Sequence, residues 1–348
     1  MSGRFFELRA YVPGEQPRDK SYIKLNTNES PYPPAPQVIA AINSREVEDL
    51  RLYSDPECKF LREALAAQYS VSPKNILVGN GSDEILSFAF MAFCDNETGV
   101  SYPDISYGFY SVFADIYGIS KREVPLRGDF SICAEDYSRA GTTIVIANPN
   151  APTGICLSIA DIEYIVSSNP GNVVVIDEAY IDFGGESCIP LIKKYCNLLV
   201  VQTYSKSRSF AGGRLGYAVG SEELIADLDK LRFSTNPYNV NRLTLVAGIT
   251  ALKEQSYYDN NNRNIIQIRE YTSYKLKELG FEPTNSKTNF IFTRHPRLRG
   301  KELYQGLRDR GILVRHFEKP RISEYVRISV GTKDEMDTML NALKEMLD

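Results

Sequence analysis

The stretch NLLVVQTYSKSRSFAGGRLGY, residues 197–217, decides how this chain is read. It opens on a continuous apolar run, Leu198 to Val201, which suits a strand covered on both faces. Hydroxyls and a lysine follow at once: Thr203, Ser205 and Lys206, then Gly212, Gly213 and Arg214. A cation at the mouth of a buried strand is costly unless it snorkels to water or has a chemical task. Taken alone, Lys206 reads as an ordinary surface lysine. Its neighbours along the sheet change that reading.

Three more runs have the same character: NILVG (75–79), TIVIAN (143–148) and NVVVID (172–177). Helical patterns lie between them. From Glu57 to Tyr69, Phe60, Leu61, Ala64 and Leu65 are expected to form one apolar stripe. Ser158 and Asp161 form a capping box ahead of another helix. Alternation of strands and helices predicts an α/β fold whose large domain has a mostly parallel, doubly wound sheet. The last third differs. A long polar helix is expected over 257–279, then strands NFIFT (289–293), ILVRHF (312–317) and YVRISV (325–330) around a helix near 300–310. A final helix starts at the Thr332/Glu335 box. This predicts a smaller α+β domain. The organisation read here is an N-terminal arm, 1–44, packing with that small domain (256–348), and a large domain, 45–255.

The 348 residues, 43% of them apolar, are enough for more than one core. A net charge of -4 without a basic run gives no support to nucleic-acid or membrane-surface binding. No apolar run approaches the ~20 residues of a membrane span, and the N-terminus has no signal-peptide pattern. The six cysteines include no CxxC pair and read as buried free thiols in a reducing cytoplasm. His295 and His316 read as surface or loop residues, so no metal site is expected.

In open α/β sheets ligands bind beyond the carboxyl ends of the strands. Four polar clusters fall there: NGSDE after NILVG, PNAPTG after TIVIAN, DEAY after NVVVI, and TYSK after LLVVQ. The amides near Ser82 and Asp83, at a helix start, favour a phosphate, although an ordinary capped helix explains them equally well alone. Asp177 needs a partner for its buried charge, and a structural salt bridge is the plain alternative. A partly dry Lys206 becomes a nucleophile. Arg214, with Thr203 and Ser205, would complete a phosphate clamp. An amine, a carboxylate and a phosphate seat are the three demands of pyridoxal 5'-phosphate.

These motifs, in order, resemble the fold-type I pyridoxal-phosphate-dependent aminotransferases, and most closely the histidinol-phosphate aminotransferase subgroup. The likeness runs through AYVPGEQP, KLNTNESPYPP, LYSDPE, NGSDE, SYGFY, NPNAPTG, DEAYIDF, SKSRSFAGGRLGY, PYNVNRLT and VRISVGT. It implies that Lys206 bonds the cofactor, Asp177 pairs with the pyridine nitrogen, and Tyr180 bonds the ring hydroxyl. Tyr107 would stack on the ring; its plain alternative is core packing. Ser82, Asp83, Thr203, Ser205 and Arg214 would hold the phosphate. Tyr53 would reach that phosphate from a partner subunit, so a homodimer is implied. Arg327, assisted by Arg315, would bind the substrate's anionic group, and Tyr11 and Asn28 would line the substrate pocket. Either arginine could instead be a surface charge on an edge strand.

One position departs from the family. Ala151 stands where an asparagine commonly bonds the ring hydroxyl, which leaves Asn150 or Tyr180 as candidates for that contact. The resemblance implies transamination of L-histidinol phosphate with 2-oxoglutarate. An aromatic or broad-range aminotransferase and a threonine-phosphate decarboxylase share the scaffold and remain open, as does a non-catalytic α/β binding module.

Overall fold

The computed structural model describes residue 8 and residues 10–348. Its strands are β1 (Ile23–Lys24), β2 (Ile76–Gly79), β3 (Val100–Pro103), β4 (Lys121–Val124), β5 (Thr143–Ala147), β6 (Val174–Asp177), β7 (Leu198–Thr203), β8 (Gly216–Gly220), β9 (Glu282–Pro283), β10 (Phe290–Arg294), β11 (Ile312–Leu313), β12 (Arg315–His316) and β13 (Val326–Ser329). Seven form one sheet in the order β2-β8-β7-β6-β5-β3-β4. The pairs β7-β6, β6-β5, β5-β3 and β3-β4 are parallel, and β8 runs antiparallel to both its neighbours.

Strand side chains alternate between faces, and that alternation divides the core in two. Val78, Ile144, Ile146, Val174, Ile176, Leu198 and Val200 meet Leu61 and Leu65 of the helix Lys59–Tyr69 and Ile162 and Ile165 of the helix Ile159–Ser167. Leu77, Val145, Val175, Leu199 and Val201 meet Ile85 and Phe90 of the helix Gly81–Phe93 and Tyr110 and Phe113 of the helix Phe109–Tyr117. Helices on both faces of a largely parallel sheet make the doubly wound arrangement.

A second sheet, β12-β13-β10-β9, is antiparallel. Leu276, Ile291, Leu303, Leu307, Ile328, Met336, Met339 and Leu343 close its own core. The helices Gln255–Glu278, Gly300–Asp309 and Lys333–Leu347 supply much of it. Strand β1 pairs in parallel with β11, and Leu25 enters this same core. Both capping boxes form, at Ser158/Asp161 and Thr332/Glu335.

Several expectations are corrected. Phe60 is 69% exposed. Two adjacent i,i+4 ridges were available on its helix, 60/64 and 61/65, and the sheet takes the second. The run 312–317 is two strands: β11 pairs with β1, and β12 with β13. The cysteines are free, but only Cys58 and Cys188 are buried, and Cys196 is exposed. His295 is buried against Phe281. Burial holds its pKa below the ordinary histidine value.

Candidate active site

Strands β5, β6 and β7 end side by side, with Ala147 opposite Asp177 and Asp177 opposite Val201 in register. The chain leaving β7 folds back sharply. Tyr204 N–H donates to Leu215 O at 2.9 Å, and Phe210 N–H to Tyr204 O at 3.1 Å. Lys206 sits on that turn. Its Nζ lies 5.8 Å from the centre of the Tyr180 ring and 3.5 Å from Thr27 O.

One cavity joins most of the expected residues. Its walls include Ser82, Asp83, Tyr107, Asp177, Tyr180, Thr203, Ser205, Lys206 and Arg214. Asp177 is 4% exposed. Tyr110 Oη donates to its Oδ2 at 2.9 Å, and Ala179 N–H donates to Oδ1 at 3.2 Å. Burial above all pushes the Asp177 carboxyl up to about 6; Asp83 and Glu178 push the same way, and the bonds from Tyr110 and Ala179 oppose them. A buried carboxylate in that state gains from a cation brought beside it.

At the other end the backbone is built for close approach. Gly81 has φ +78, and a Cβ there would lie 2.6 Å from Arg214 Nη2. A Cβ on Gly216 would lie 2.5 Å from Ser82 N. Only glycine lets the start of the helix Gly81–Phe93, strand β8 and Arg214 converge this tightly. Asn80 precedes that helix but its side chain makes no capping bond. It turns instead to Asn239 O. The first-turn amides and Arg214 therefore form a seat suited to an anion. Thr203 Oγ1 donates to Ser205 Oγ at 3.0 Å beside it. An amine, a buried carboxylate and an anion seat in one cavity fit pyridoxal phosphate.

A second, larger cavity opens next to the first and shares Tyr107, Tyr180 and Lys206 with it. Tyr11, Asn28, Arg315 and Arg327 line it. Asn28 is buried with φ 56, and its side-chain amide donates to Tyr180 Oη at 3.0 Å. Arg315 and Arg327 face each other across β12 and β13. Arg315 donates to the carbonyls of Val12 and Pro13. Arg327 donates from Nη2 to Asn26 O at 3.1 Å, and its Nε is buried with no hydrogen-bond partner among the described residues. Burial lowers the Arg327 pKa. A guanidinium left short of acceptors beside a cavity is a ready anion site.

Two candidates stand apart. Asn150 is 1% exposed, and its amide bonds Ile105 O, Thr153 Oγ1 and Ser106 Oγ. It lines neither cavity; the side chain is committed to holding its own turn. Tyr53 is 79% exposed and stacks on Tyr238, with centroids 4.4 Å apart. It lies outside both cavities of its own chain. Residues with no role expected from the sequence also appear. Tyr110 touches Asp177, and Phe317, Lys319 and Ile322 line the larger cavity. Tyr110 was legible only as the residue one helical turn beyond Tyr107.

The aminotransferase class I and II family model matches residues 20–343. The chain is 48% identical over 348 residues to a histidinol-phosphate aminotransferase of Brachyspira hyodysenteriae, covering 100% of this chain and 98% of that one. It is 46% identical over 344 residues to a histidinol-phosphate aminotransferase of Clostridium acetobutylicum, covering 99% and 98%. The crystal structure of histidinol-phosphate aminotransferase from Sinorhizobium meliloti in complex with pyridoxal-5'-phosphate superposes with TM-score 0.85 at 26% identity, covering 94% of this chain and 91% of that one. With the strand-end lysine, the buried carboxylate and the anion seat placed together, these matches identify the chain as a member of the class I and II aminotransferase family.

Proposed function

We propose that this chain transfers the amino group of L-histidinol phosphate to 2-oxoglutarate, giving imidazole acetol phosphate and L-glutamate, a step of histidine biosynthesis. It is a pyridoxal-phosphate-dependent aminotransferase. Bound pyridoxal phosphate supplies an electron sink for the negative charge that develops when the substrate's α-carbon loses a proton. Lys206 would hold the cofactor aldehyde, and its amine, at the turn that closes this cavity, would be the base and acid for the α-proton. Asp177 would pair with the ring nitrogen, Tyr180 with the ring hydroxyl, and Tyr107 would cover the ring. The amides of Ser82 and Asp83, the hydroxyls of Thr203 and Ser205, and Arg214 hold the phosphate. With Asn150 committed to its turn, Tyr180 carries the ring-hydroxyl contact that Ala151 cannot make.

The observation that carries the substrate reading is Arg327, which reaches the larger cavity with an unpartnered Nε. With Arg315 beside it, it would take the phosphate of one substrate and a carboxylate of the other, since both present oxygens to a planar fork. Tyr11 and Asn28 close the rest of that pocket. The relatives named histidinol-phosphate aminotransferase support this donor over an aromatic amino acid or threonine phosphate.

A homodimer in the cytoplasm completes the reading. Leu50, Leu52, Tyr53, Phe60, Phe233 and Tyr238 are exposed large apolar side chains, which suits a covered surface, and Tyr53 would then serve the partner's phosphate seat. No helix among the described residues is long and apolar enough to cross a membrane. The separate cores of the two sheets support a large and a small domain, read as 45–255 and 256–348, with an arm at 1–44 whose Leu25 joins the small core while its Ala35 and Val38 join the large one.

A donor screen with 2-oxoglutarate tests the reading. Histidinol phosphate should exceed phenylalanine, tyrosine and threonine phosphate in kcat/KM by orders of magnitude. Preference for an aromatic donor, or carbon dioxide released from threonine phosphate, would overturn it.

A further inference from the structure

Tyr110 is wholly buried, and its hydroxyl meets the one carboxylate of the cofactor cavity that is also deeply buried. Resting on the cofactor reading above, we propose that Tyr110 is a positioning residue: its hydroxyl fixes the rotation of the Asp177 carboxylate while its ring fixes the setting of Tyr107. One side chain thereby couples the group that faces the cofactor's ring nitrogen to the group that faces its ring.

The geometry separates the two roles. Oδ1 of Asp177 accepts from the Ala179 amide at 3.2 Å and Oδ2 from Tyr110 Oη at 2.9 Å. With one donor on each oxygen, the carboxylate cannot turn about its last bond without breaking both. The Tyr110 ring meets the Tyr107 ring edge-on, centroids 5.7 Å apart and planes at 87°. Tyr107 Oη in turn donates to Asp83 Oδ1 at 2.7 Å. Tyr102 provides the contrast. It packs against Tyr110 at 5.9 Å, and its own buried hydroxyl, with Glu123 nearby, makes no close hydrogen bond among the described residues. A tyrosine ring can therefore pack beside Tyr110 without a hydrogen bond from its hydroxyl to Asp177. The other ionisable groups around Asp177 are Asp83 on the helix after β2, Glu178 next in sequence, and Tyr107, Tyr180, Lys206 and Arg214 on the walls of the cavity. None of them is a hydrogen-bond donor to its carboxylate.

The test compares Tyr110→Phe and Tyr102→Phe with the parent, all loaded with pyridoxal phosphate. Each substitution removes one buried hydroxyl and keeps a ring. Tyr110→Phe should weaken cofactor binding about ten-fold, the order carried by a hydrogen bond to a charged acceptor. It should also move the pH midpoint of the visible cofactor band and lower kcat more than it changes KM. Tyr102→Phe should leave all three unchanged. If Tyr110→Phe does not fold, difluorotyrosine at 110 keeps the shape and strengthens the donor, and should shift the same midpoint. Equal affinity and an equal band midpoint in the parent and the Tyr110 variants would overturn the inference. A parent that develops no visible band with pyridoxal phosphate would overturn the cofactor reading itself.

Discussion

Asp83 Oδ2 accepts a hydrogen bond from Arg214 Nη2 at 2.9 Å, which joins the helix after β2 to the loop before β8. The other oxygen of Asp83 holds Tyr107. The carboxylate thus orients a cation and an aromatic ring and, being negative, would repel a phosphate; in the proposed seat Ser82 and Asp83 would act through their amides. The Arg214–Asp83 pair is well exposed to the cavity, so solvent screens its contribution to stability. Arg214→Gln should therefore change unfolding free energy by less than about 1 kcal/mol. It should weaken pyridoxal phosphate binding at least about ten-fold, through loss of a charge-assisted contact. Chemical denaturation of the cofactor-free protein and a cofactor titration read the two effects. A large stability loss with unchanged affinity would count against the phosphate seat.

Burial raises the Asp177 carboxyl to about 6, above its unfolded value of about 3.9. A group raised on folding contributes its stability fully below the unfolded pKa and loses it as pH rises through the folded one. The cofactor-free parent should therefore lose stability relative to Asp177→Asn between about pH 4 and pH 6, by a difference on the order of 3 kcal/mol. Parallel urea titrations across that range measure it. Two curves that keep a constant separation would contradict the assignment.

Arg327 offers a fork whose Nε has no hydrogen-bond partner among the described residues. Arg327→Lys keeps the charge and loses the planar fork. It should raise KM for a phosphate-bearing donor about ten-fold or more, with a smaller change in kcat and little change in Tm. Steady-state kinetics decide this. An unchanged KM would place the substrate's anion elsewhere.

Phe60 and Tyr53 are 69% and 79% exposed. If a second copy covers them, light scattering should return twice the 39.2 kDa mass of the chain. Phe60→Asp should then shift the protein towards the single-chain mass and reduce activity. A parent that runs as a monomer would contradict the dimer.

What the sequence disclosed follows from burial. Strands β5, β6 and β7 were legible because both faces are covered, so their runs are almost wholly apolar, and the polar residues that end them mark the site. Strand β8 was not: its residues are equally buried, but Gly216 and Gly220 dilute the pattern. Phe60 was misplaced because two ridges of one helix are equally apolar and only the packed sheet chooses between them. Tyr110 escaped notice because a tyrosine amid Phe109, Tyr107 and Phe113 reads as core, and its hydroxyl's partner, Asp177, lies 67 positions away. Asn150 looked suitable by adjacency alone; besides its bond to Thr153 within the turn, its two bonds to Ile105 and Ser106 become visible only when the fold brings those residues beside it.

Lys206 is proposed as the amine that holds the cofactor. The protein should be incubated with pyridoxal phosphate, reduced with borohydride, digested, and its peptides mapped by mass spectrometry. One cofactor per chain is expected on Lys206, and none in Lys206→Ala. Fixation on a different lysine, or a loaded protein from which borohydride fixes nothing, would contradict it.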